Sequence, residues 1–408
     1  MEKLLPGHFL IFSDGIVRTT RWVQPAFLPG ETPVPPSELE AVLQDSAAAH
    51  KIADVEVAGF LSGGVDSAYI TALARPGRTY TISYAEPRYD ESFPARALAR
   101  SLGVRNRVRR ISPGEFWDAV PAVQYHMDEP LADAAAVALY FLNREAAREV
   151  KVCLSGEGAD ELFGGYNIYR DPFTAQWYDR LPPWLRGGLG AAAGLLPPGP
   201  GVNFLVRRGL PLEERYFGPT ALMTEQEKRR LLADYEGDGD PMFLTEALWD
   251  STEGLDPVSR MQQVDINLWL AGDILLKADK MSMAHSLELR VPFLDKEVFA
   301  LAAALPAAAK ANARMTKIAL RQAAARTLPP AAAARKKLGF PVPVRDWLRQ
   351  EPYTSRVRAA FARPAAAQFF RPQVLHSMLN RHLHGGDCWR QIWCVYSFLI
   401  WYEQFFGA

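Results

Sequence analysis

The sequence predicts an α/β protein in which a parallel sheet is followed by a mainly helical C-terminal part. Up to about residue 170, apolar segments of strand length alternate with segments of helical spacing, which is typical of a parallel sheet covered on both faces. Beyond that point, proline-punctuated pieces lead into helical periods that continue to the end. We therefore predict an N-terminal hairpin and linker at 1–36, an α/β domain at 37–170 and a mainly helical part at 171–408.

The elements of the first two regions can be predicted in order. A hairpin is expected at 8–23, because Asp14-Gly15 separates two apolar runs, and the prolines of 25–36 indicate an extended connector. We predict helices at 37–52, 67–73, 92–102, 113–126 and 134–150, and strands at 55–61, 79–84, 105–111 and 152–154. In parallel sheets, ligands bind beyond the carboxyl ends of the strands, so the loops that follow the strands are the first place to look for a site.

Composition excludes several classes of protein. The 408 residues contain 46 Lys and Arg and 46 Asp and Glu, so no global positive field attracts nucleic acid, and we interpret the arginines between 105 and 110 as a solvated strand face. Three cysteines without a C-x-x-C pair indicate thiols in a reducing compartment. No apolar run reaches the ~18 residues of a membrane span, and the N-terminus is a poor signal peptide. We expect a cytoplasmic protein that binds neither nucleic acid nor membrane.

The loop Ser62-Gly63-Gly64-Val65-Asp66-Ser67 separates a predicted buried strand from a predicted helix. Its glycines allow close approach, and the free N–H groups of a helix N-terminus bind anions such as phosphate. Asp66 would repel a bare phosphate, so we expect Mg²⁺ between them, since Mg²⁺ takes carboxylate and phosphate oxygens together. The alternative is a tight turn with an Asp at a helix N-terminus. A Walker A loop is excluded, because the sequence contains no G-x-x-x-x-G-K-[ST].

A second loop follows the predicted strand at 152–154. It places Glu157, Asp160 and Glu161 within five positions between glycines, and the repulsion among these carboxylates needs a cation or a proton to relieve it. A solvated acidic turn with Asp160 as N-cap is the alternative.

A third stretch, 273–295, has the pattern of an amphipathic helix that runs into a proline-containing loop. We expect Lys277 to be solvated, whereas Lys280 and Arg290 lie among apolar residues where an unpaired cation is costly.

These three stretches, together with Arg335-Lys336-Lys337-Leu338-Gly339-Phe340, resemble the synthetase part of the glutamine-dependent asparagine synthetases. The first loop resembles the pyrophosphate loop of the PP-loop ATP pyrophosphatases, and the likeness covers nearly the whole chain. The resemblance implies a PP-loop α/β core and a reaction in two steps. A carboxylate, that of the aspartate side chain, attacks the α-phosphorus of ATP and releases pyrophosphate, and ammonia then displaces AMP to give asparagine.

The resemblance also implies roles for single residues. Glu157 would be the general base that takes a proton from ammonia, and Lys280 would stabilise charge on the phosphates. Asp66 and Asp160 would bind Mg²⁺ with the phosphates of ATP. The residues expected to contact ATP or pyrophosphate are Phe60, Leu61, Ser62, Gly63, Gly64, Asp66, Ser67, Ile82, Ser155 and Gly156. Arg290 and the Arg335–Lys337 cluster could bind substrate carboxylate or phosphate, with structural pairing as an equal alternative.

One departure from the family concerns the source of ammonia. Full-length members begin with a glutaminase domain whose nucleophile is the cysteine after the initiator methionine, whereas here residue 2 is Glu2 and the first cysteine is Cys153. The segment Leu4–His8 resembles the linker between the family's two domains. We therefore expect ammonia to come from solution or from a separate glutaminase subunit, unless the chain is a fragment.

Two alternative functions stay open on the sequence. The first is a relative that adenylates another carboxylate and closes it on an amine, as β-lactam synthetases and lasso-peptide cyclases do. Glu157 favours an external amine that needs deprotonation, and so favours asparagine formation over this alternative. The second is a non-catalytic subunit that binds nucleotide, which has no need for a general base.

Overall fold

The computed structural model describes residues 3–196, 199–219, 222–237, 242–335 and 339–407. Its strands are β1 (His8–Ser13), β2 (Ile16–Arg21), β3 (Val57–Phe60), β4 (Arg78–Ser83), β5 (Arg105–Arg110), β6 (Val152–Leu154) and β7 (Glu288–Arg290). The first two form an antiparallel hairpin, and the others form a five-stranded sheet in the order β5-β4-β3-β6-β7. Every neighbouring pair in this sheet is parallel, which confirms the predicted fold class.

Helices fill the connections and most of the second half of the chain. In the first half they are α1 (Pro36–Ala49), α2 (Val65–Ala74), α3 (Ser92–Leu102), α4 (Pro113–Met127), α5 (Ala135–Ala146), α6 (Ala159–Phe163), α7 (Gln176–Asp179), α8 (Pro183–Ala193) and α9 (Pro200–Gly209). These are followed by α10 (Leu212–Arg215), α11 (Glu225–Leu231), α12 (Met242–Asp250), α13 (Pro257–Val264), a π-helix (Asp265–Ile274), α14 (Leu275–Met283), α15 (Lys296–Ala304), α16 (Ala307–Lys310) and α17 (Ile318–Ala324). The last are α18 (Pro330–Ala333), α19 (Val344–Trp347), α20 (Tyr353–Phe361), α21 (Pro364–Phe369), α22 (Pro372–Leu383) and α23 (Trp389–Phe406). Short 3₁₀ turns lie at Pro87–Tyr89, Asn167–Phe173 and Pro292–Leu294.

Most predicted elements of the first half are present, but the helix predicted at 134–150 ends at Ala146. In the second half, the edge strand β7 was not predicted. The sequence of β7, Glu-Leu-Arg, is too short and too polar to give an apolar or alternating pattern. It is held by pairing with β6 from Val152 to Leu154 and by Leu289, which packs against the hydrophobic cluster on that side of the sheet.

Two hydrophobic clusters cover the two faces of the sheet, because successive side chains of a strand point to opposite sides. Ala58 and Phe60 of β3 belong to one cluster, which includes Trp347 and Trp393 of the C-terminal helices. Val57 of β3 belongs to the other, which includes Phe293, Val298 and Leu320. The part of the chain beyond residue 171 therefore buries both faces of the sheet, in addition to supplying β7.

Strand β5 forms the arginine-rich edge of the sheet. Arg107 forms ion pairs with Glu145 and Glu149 of the same chain, and Arg109 likewise pairs with Glu115. These arginines are thus neutralised in part by neighbouring carboxylates as well as by solvent. Within the residues that the structure describes, no helix is long and apolar enough to cross a membrane.

Candidate active site

The two polar loops leave the same edge of the sheet. Strands β3 and β6 are parallel neighbours with Gly59 opposite Leu154, so the loops at Ser62–Ser67 and Ser155–Asp160 emerge side by side. From β3 the chain moves first to β4 and β5 on one side, and later to β6 and β7 on the other. Such a reversal of strand order opens a crevice at the carboxyl ends of the strands, which is where ligands bind in this class of sheet.

Internal hydrogen bonds fix the shape of the first loop. The Ser62 N–H donates to Ser67 Oγ at 3.0 Å, the Gly64 N–H donates to Ser62 Oγ at 3.1 Å, and the two hydroxyls lie 2.9 Å apart. Helix α2 begins directly after Gly64, so its first N–H groups face the crevice. A Cβ on Gly63 would lie 3.0 Å from Pro94 and 3.2 Å from Nε of Arg335, which leaves little room for any side chain.

The second loop packs backbone against backbone on the first. A Cβ on Gly156 would lie only 2.8 Å from the Ser67 nitrogen, so glycine is required for the two loops to approach each other. On its other side, the Ser155 N–H donates to the Arg290 carbonyl of β7 at 2.8 Å. The predicted phosphate-binding loop and the predicted acidic loop therefore form one continuous surface.

Asp66 and Asp160, one from each loop, meet at a lysine. Nζ of Lys317 lies 2.6 Å from Asp66 Oδ2 and 2.7 Å from Asp160 Oδ1, and its side chain is 2 % exposed. We call these three residues the Lys317 cluster. Burial alone would lower the pKa of Lys317, but the charges of Asp160 and Asp66 outweigh burial and raise it. The lysine is therefore charged, and it neutralises carboxylates that would otherwise repel each other.

The donor set of this cluster fits Mg²⁺ shared with a phosphate. Among the residues that the structure describes, no group of three or more His, Cys, Asp or Glu side chains could hold a metal ion alone. Two converging carboxylates are what Mg²⁺ uses when phosphate oxygens and water complete its octahedron. A Cβ on Gly165 would lie 1.8 Å from Asp160 Oδ1 and 2.2 Å from Lys317 Cε, so a glycine at this position preserves the space that the cluster occupies.

A second buried lysine lies near Glu157. Nζ of Lys277 is 2.5 Å from Asp133 Oδ2 and 2.7 Å from Asp273 Oδ2, and we call these three residues the Lys277 cluster. The expectation that Lys277 is solvated is wrong, since its side chain is 6 % exposed. The π-helix runs directly into α14, which places Asp273 one turn before Lys277, and Asp133 approaches from the segment before α5. A buried ammonium group requires such partners.

Glu157 sits half-buried at the start of the second loop. Burial raises its pKa, the charge of Lys277 and a hydrogen bond from the Ser155 side chain oppose that rise, and the charges of Asp160 and Asp66 add to it. Its Oε2 is inaccessible to solvent and has no hydrogen-bond partner in the part of the chain that the structure describes. A carboxylate with a raised pKa and a free oxygen is suited to accept a proton.

Two cations predicted for the site form contacts with other groups. Lys280, one turn after Lys277, forms an ion pair with Asp128 and is 31 % exposed. Arg290 donates to the carbonyls of His50 and Ile52, each at 2.8 Å, so its side chain ties the end of α1 to the edge strand. The structural alternative for Arg290 thus agrees with its contacts, and of the two lysines on α14 Lys277 is the more deeply buried.

The remaining predicted residues line the crevice floor or its rim. Phe60, Leu61 and Ile82 are buried at the ends of β3 and β4, and Leu61 is held by its N–H to the Tyr80 carbonyl at 2.9 Å. Arg335 lies over Gly63, whereas Lys336 and Lys337 fall outside the described residues. Sequence reasoning missed Lys317, Asp133 and Asp273. Lys317 gives little signal because it stands in an Ala-rich helical stretch, where a lysine is typically solvated.

Comparison with known proteins agrees with this geometry. A family model described as "Asparagine synthase" matches residues 38–403. A putative glutamine-hydrolyzing asparagine synthetase of Mycobacterium tuberculosis H37Rv is 43 % identical over 374 residues, which cover 90 % of this chain and 57 % of that protein. Asparagine synthetase [glutamine-hydrolyzing] 1 of Bacillus subtilis is 39 % identical over 412 residues, covering 99 % of this chain and 65 % of that protein.

The chain thus spans 57 % to 65 % of the length of these curated relatives. Among solved structures, NMN synthetase from Francisella tularensis matches 32 % of this chain and 58 % of that chain, with a TM-score of 0.25 and 17 % identity. The sheet, the two loops and the match over residues 38–403 together show that this chain belongs to the asparagine synthetase family.

Proposed function

We propose that this chain forms an amide from ATP, a carboxylate and ammonia. The observation that carries the proposal is the convergence of three features at one sheet edge. These are the Ser62–Ser67 loop, the paired carboxylates of the Lys317 cluster, and Glu157 beside the Lys277 cluster. The anion-binding loop accounts for phosphate binding alone. A carboxylate with a raised pKa beside that loop indicates that a reaction takes place there.

In the first step, the substrate carboxylate attacks the α-phosphorus of ATP, and pyrophosphate leaves. The N–H groups of the Ser62–Ser67 loop and the hydroxyls of Ser62 and Ser67 donate to the departing phosphates, because both hydroxyls and the start of α2 face the crevice. The family membership and the names of the relatives favour aspartate as the substrate that supplies the carboxylate.

Asp66 and Asp160 would hold Mg²⁺ together with the phosphates, and a bound Mg²⁺ neutralises the charge that develops on them. Lys317 occupies the position between the two carboxylates in this structure. Its ammonium group would move from the carboxylates to the phosphate oxygens when the nucleotide and its cation bind, since the cation then takes over the neutralisation of Asp66 and Asp160.

In the second step, ammonia attacks the acyl-adenylate and displaces AMP. The attacking nitrogen must lose a proton, and Glu157 Oε2 accepts it, since this oxygen has no hydrogen-bond partner among the described residues. The charge of Lys277 limits the rise in the pKa of Glu157 and so favours the ionised carboxylate that can accept the proton. The relatives are named as glutamine-hydrolyzing, and we propose that a glutaminase supplies the ammonia in the cell.

The proposal is tested by measuring pyrophosphate release and asparagine formation with ATP, Mg²⁺, aspartate and ammonium. We expect pyrophosphate release that depends on aspartate, and asparagine that appears only when ammonium is present. Absence of any aspartate-dependent pyrophosphate release would reject asparagine formation. If another carboxylate that carries its own amine released pyrophosphate without ammonium, an amide-closing synthetase would be the better assignment.

A further inference from the structure

A polar cavity of about 630 Å³ lies in the helical part, apart from the two loops. Helices α7, α8, α10 and α13 and the 3₁₀ turn Asn167–Phe173 contribute to its wall. Four arginines line it, against two carboxylates. These lining residues are Arg180, Arg186, Arg215 and Arg260, with Asp179 and Glu213. The cavity wall therefore carries an excess of positive charge.

The excess of positive charge extends to the residues behind the cavity wall. Asp171 receives three guanidinium groups, those of Arg207 at 2.6 Å, Arg208 at 3.4 Å and Arg215 at 3.5 Å. Arg208 is fully buried and also forms an ion pair with Asp179. Since Asp171 and Asp179 are shared among several arginines, these two carboxylates neutralise only part of this cluster.

Several of the arginine donors are buried without an acceptor. Among the described residues, Nε of Arg215, Nε of Arg186 and Nε of Arg208 have no hydrogen-bond acceptor and are inaccessible to solvent, and Nη1 of Arg215 has only the 3.5 Å ion pair with Asp171. A buried charged donor left without an acceptor costs free energy, so such groups normally have a partner. Burial also lowers the pKa of Arg215, and the neighbouring Arg208 and Arg207 act in the same direction, opposed by Asp171 and Asp179.

We propose that this cavity binds a small polyanion that carries phosphate groups. Guanidinium groups bind phosphate oxygens through paired N–H donors, and the charge excess suits a ligand with two or more negative charges. The volume lies in the range of small-molecule sites. Arg180 is exposed at the rim and forms no ion pair with the described residues, so it is available to close over a ligand.

A purely structural role for the arginines accounts for less. An ion-pair network that only ties α9 to the turn at Asn167–Phe173 requires Arg207, Arg208 and Asp171. It requires neither Arg180 at the rim nor the Nε donor of Arg215, which has no acceptor among the described residues, and it does not explain an open cavity between them. These features are expected of a site that awaits oxygen acceptors.

Pyrophosphate is a suitable probe, but the Ser62–Ser67 loop also binds it under our proposal, so the two sites must be separated. Calorimetric titration of the full chain with pyrophosphate in EDTA, using Lys317→Met to weaken the loop site, should leave one pyrophosphate per chain. Adding Arg180→Gln should weaken this remaining affinity about tenfold, the typical effect of losing a charge-assisted hydrogen bond. Arg100→Gln, which removes an exposed arginine on α3, should leave it unchanged.

Arg215→Gln should abolish the binding, with the thermal unfolding midpoint recorded to show that the variant folds. Citrate, titrated in the same way, tests whether carboxylates serve instead of phosphates, and we expect it to bind at least tenfold more weakly. The proposal is overturned if Lys317→Met binds no pyrophosphate at millimolar concentration, or if Arg180→Gln leaves the affinity unchanged. Tighter binding of citrate than of pyrophosphate would overturn the assignment to phosphate.

Discussion

The Lys317 and Lys277 clusters share one design, since each places a buried lysine between two carboxylates. They differ in their third neighbour. The Lys317 cluster lies beside the donors of the Ser62–Ser67 loop, whereas the Lys277 cluster lies beside the carboxylate of Glu157. Under the proposed function, the same ion-pair geometry would serve two purposes. Lys317 would keep a cation site neutral until nucleotide binds, and Lys277 would set the proton affinity of the base Glu157.

The comparison shows that ion pairing alone does not reveal the role of a buried lysine. Both lysines have a raised pKa, because neighbouring carboxylates outweigh the effect of burial. The difference lies in what happens when a substrate binds. We expect Lys317 to exchange its partners during the first step and Lys277 to keep them throughout, and the following changes separate these two behaviours.

The largest effect is expected for Glu157→Gln. This variant keeps the size of the side chain but cannot accept a proton, so the formation of asparagine should fall by about 10²–10⁴-fold. Aspartate-dependent exchange of pyrophosphate into ATP should persist, because the first step does not use the base. Measuring both reactions on one preparation tests the assignment, and an equal loss in both would argue against a role confined to the second step.

Lys317→Met should slow pyrophosphate release by about 10²–10³-fold, the usual cost of losing one charged donor to a transition state. Lys296→Met, which removes an 89 % exposed lysine on α15, is the matched control. Lys317→Met should also bind Mn²⁺ more tightly than the wild type in the absence of ATP, because no ammonium group then competes for Asp66 and Asp160. An unchanged Mn²⁺ affinity, measured by electron paramagnetic resonance, would contradict the exchange of partners.

Gly165→Ala should disturb the Lys317 cluster and leave the Lys277 cluster intact. The added Cβ would meet Asp160 Oδ1 at 1.8 Å and Lys317 Cε at 2.2 Å, so both side chains must shift. A displacement of this size can cost about 100-fold in rate, which we expect for pyrophosphate release. Gly188→Ala on α8, where an added Cβ meets nothing within 4 Å, should match the wild type. Equal rates for both variants would show that the geometry of the cluster is unimportant.

Lys277→Met should produce the smallest loss and a distinct signature. Lys277 lowers the pKa of Glu157, so its removal raises that pKa further, and the carboxylate then ionises only at higher pH. The acid limb of the asparagine-forming rate should therefore move to higher pH. At a fixed pH on that limb, the rate should fall about tenfold for every tenfold decrease in the ionised fraction of Glu157. Lys277→Arg should return the acid limb to its wild-type pH. A lowered rate with an unmoved limb would indicate that Lys277 is merely structural.

The sequence predicts the two loops of the site better than it predicts the buried lysines and their partners. The Ser62–Ser67 loop and Asp160 follow buried strands with clear patterns, so their meeting at one sheet edge follows from the parallel topology. Lys317 and Asp133 lie far from these loops in sequence and in segments without a distinctive pattern, so only the packing of the helices brings them in.

The wrong prediction that Lys277 is solvated has a similar cause. Both lysines stand on α14, three residues apart, and the sequence places apolar residues near each. Which of them is buried depends on which side of α14 packs against the rest of the chain, and Lys277 lies on the side where Asp133 and Asp273 contact it. Asp133 lies 144 residues before Lys277, so the choice between the two lysines could not be made from the sequence.

The central claim is that a carboxylate attacks the α-phosphorus of ATP at the two loops. Aspartate labelled with ¹⁸O in its side-chain carboxylate tests this directly, since the oxygen that forms the acyl-adenylate stays on phosphorus when ammonia displaces AMP. We predict that AMP carries one ¹⁸O atom for each asparagine formed, as read by mass spectrometry. The appearance of ADP with label in inorganic phosphate would contradict the account.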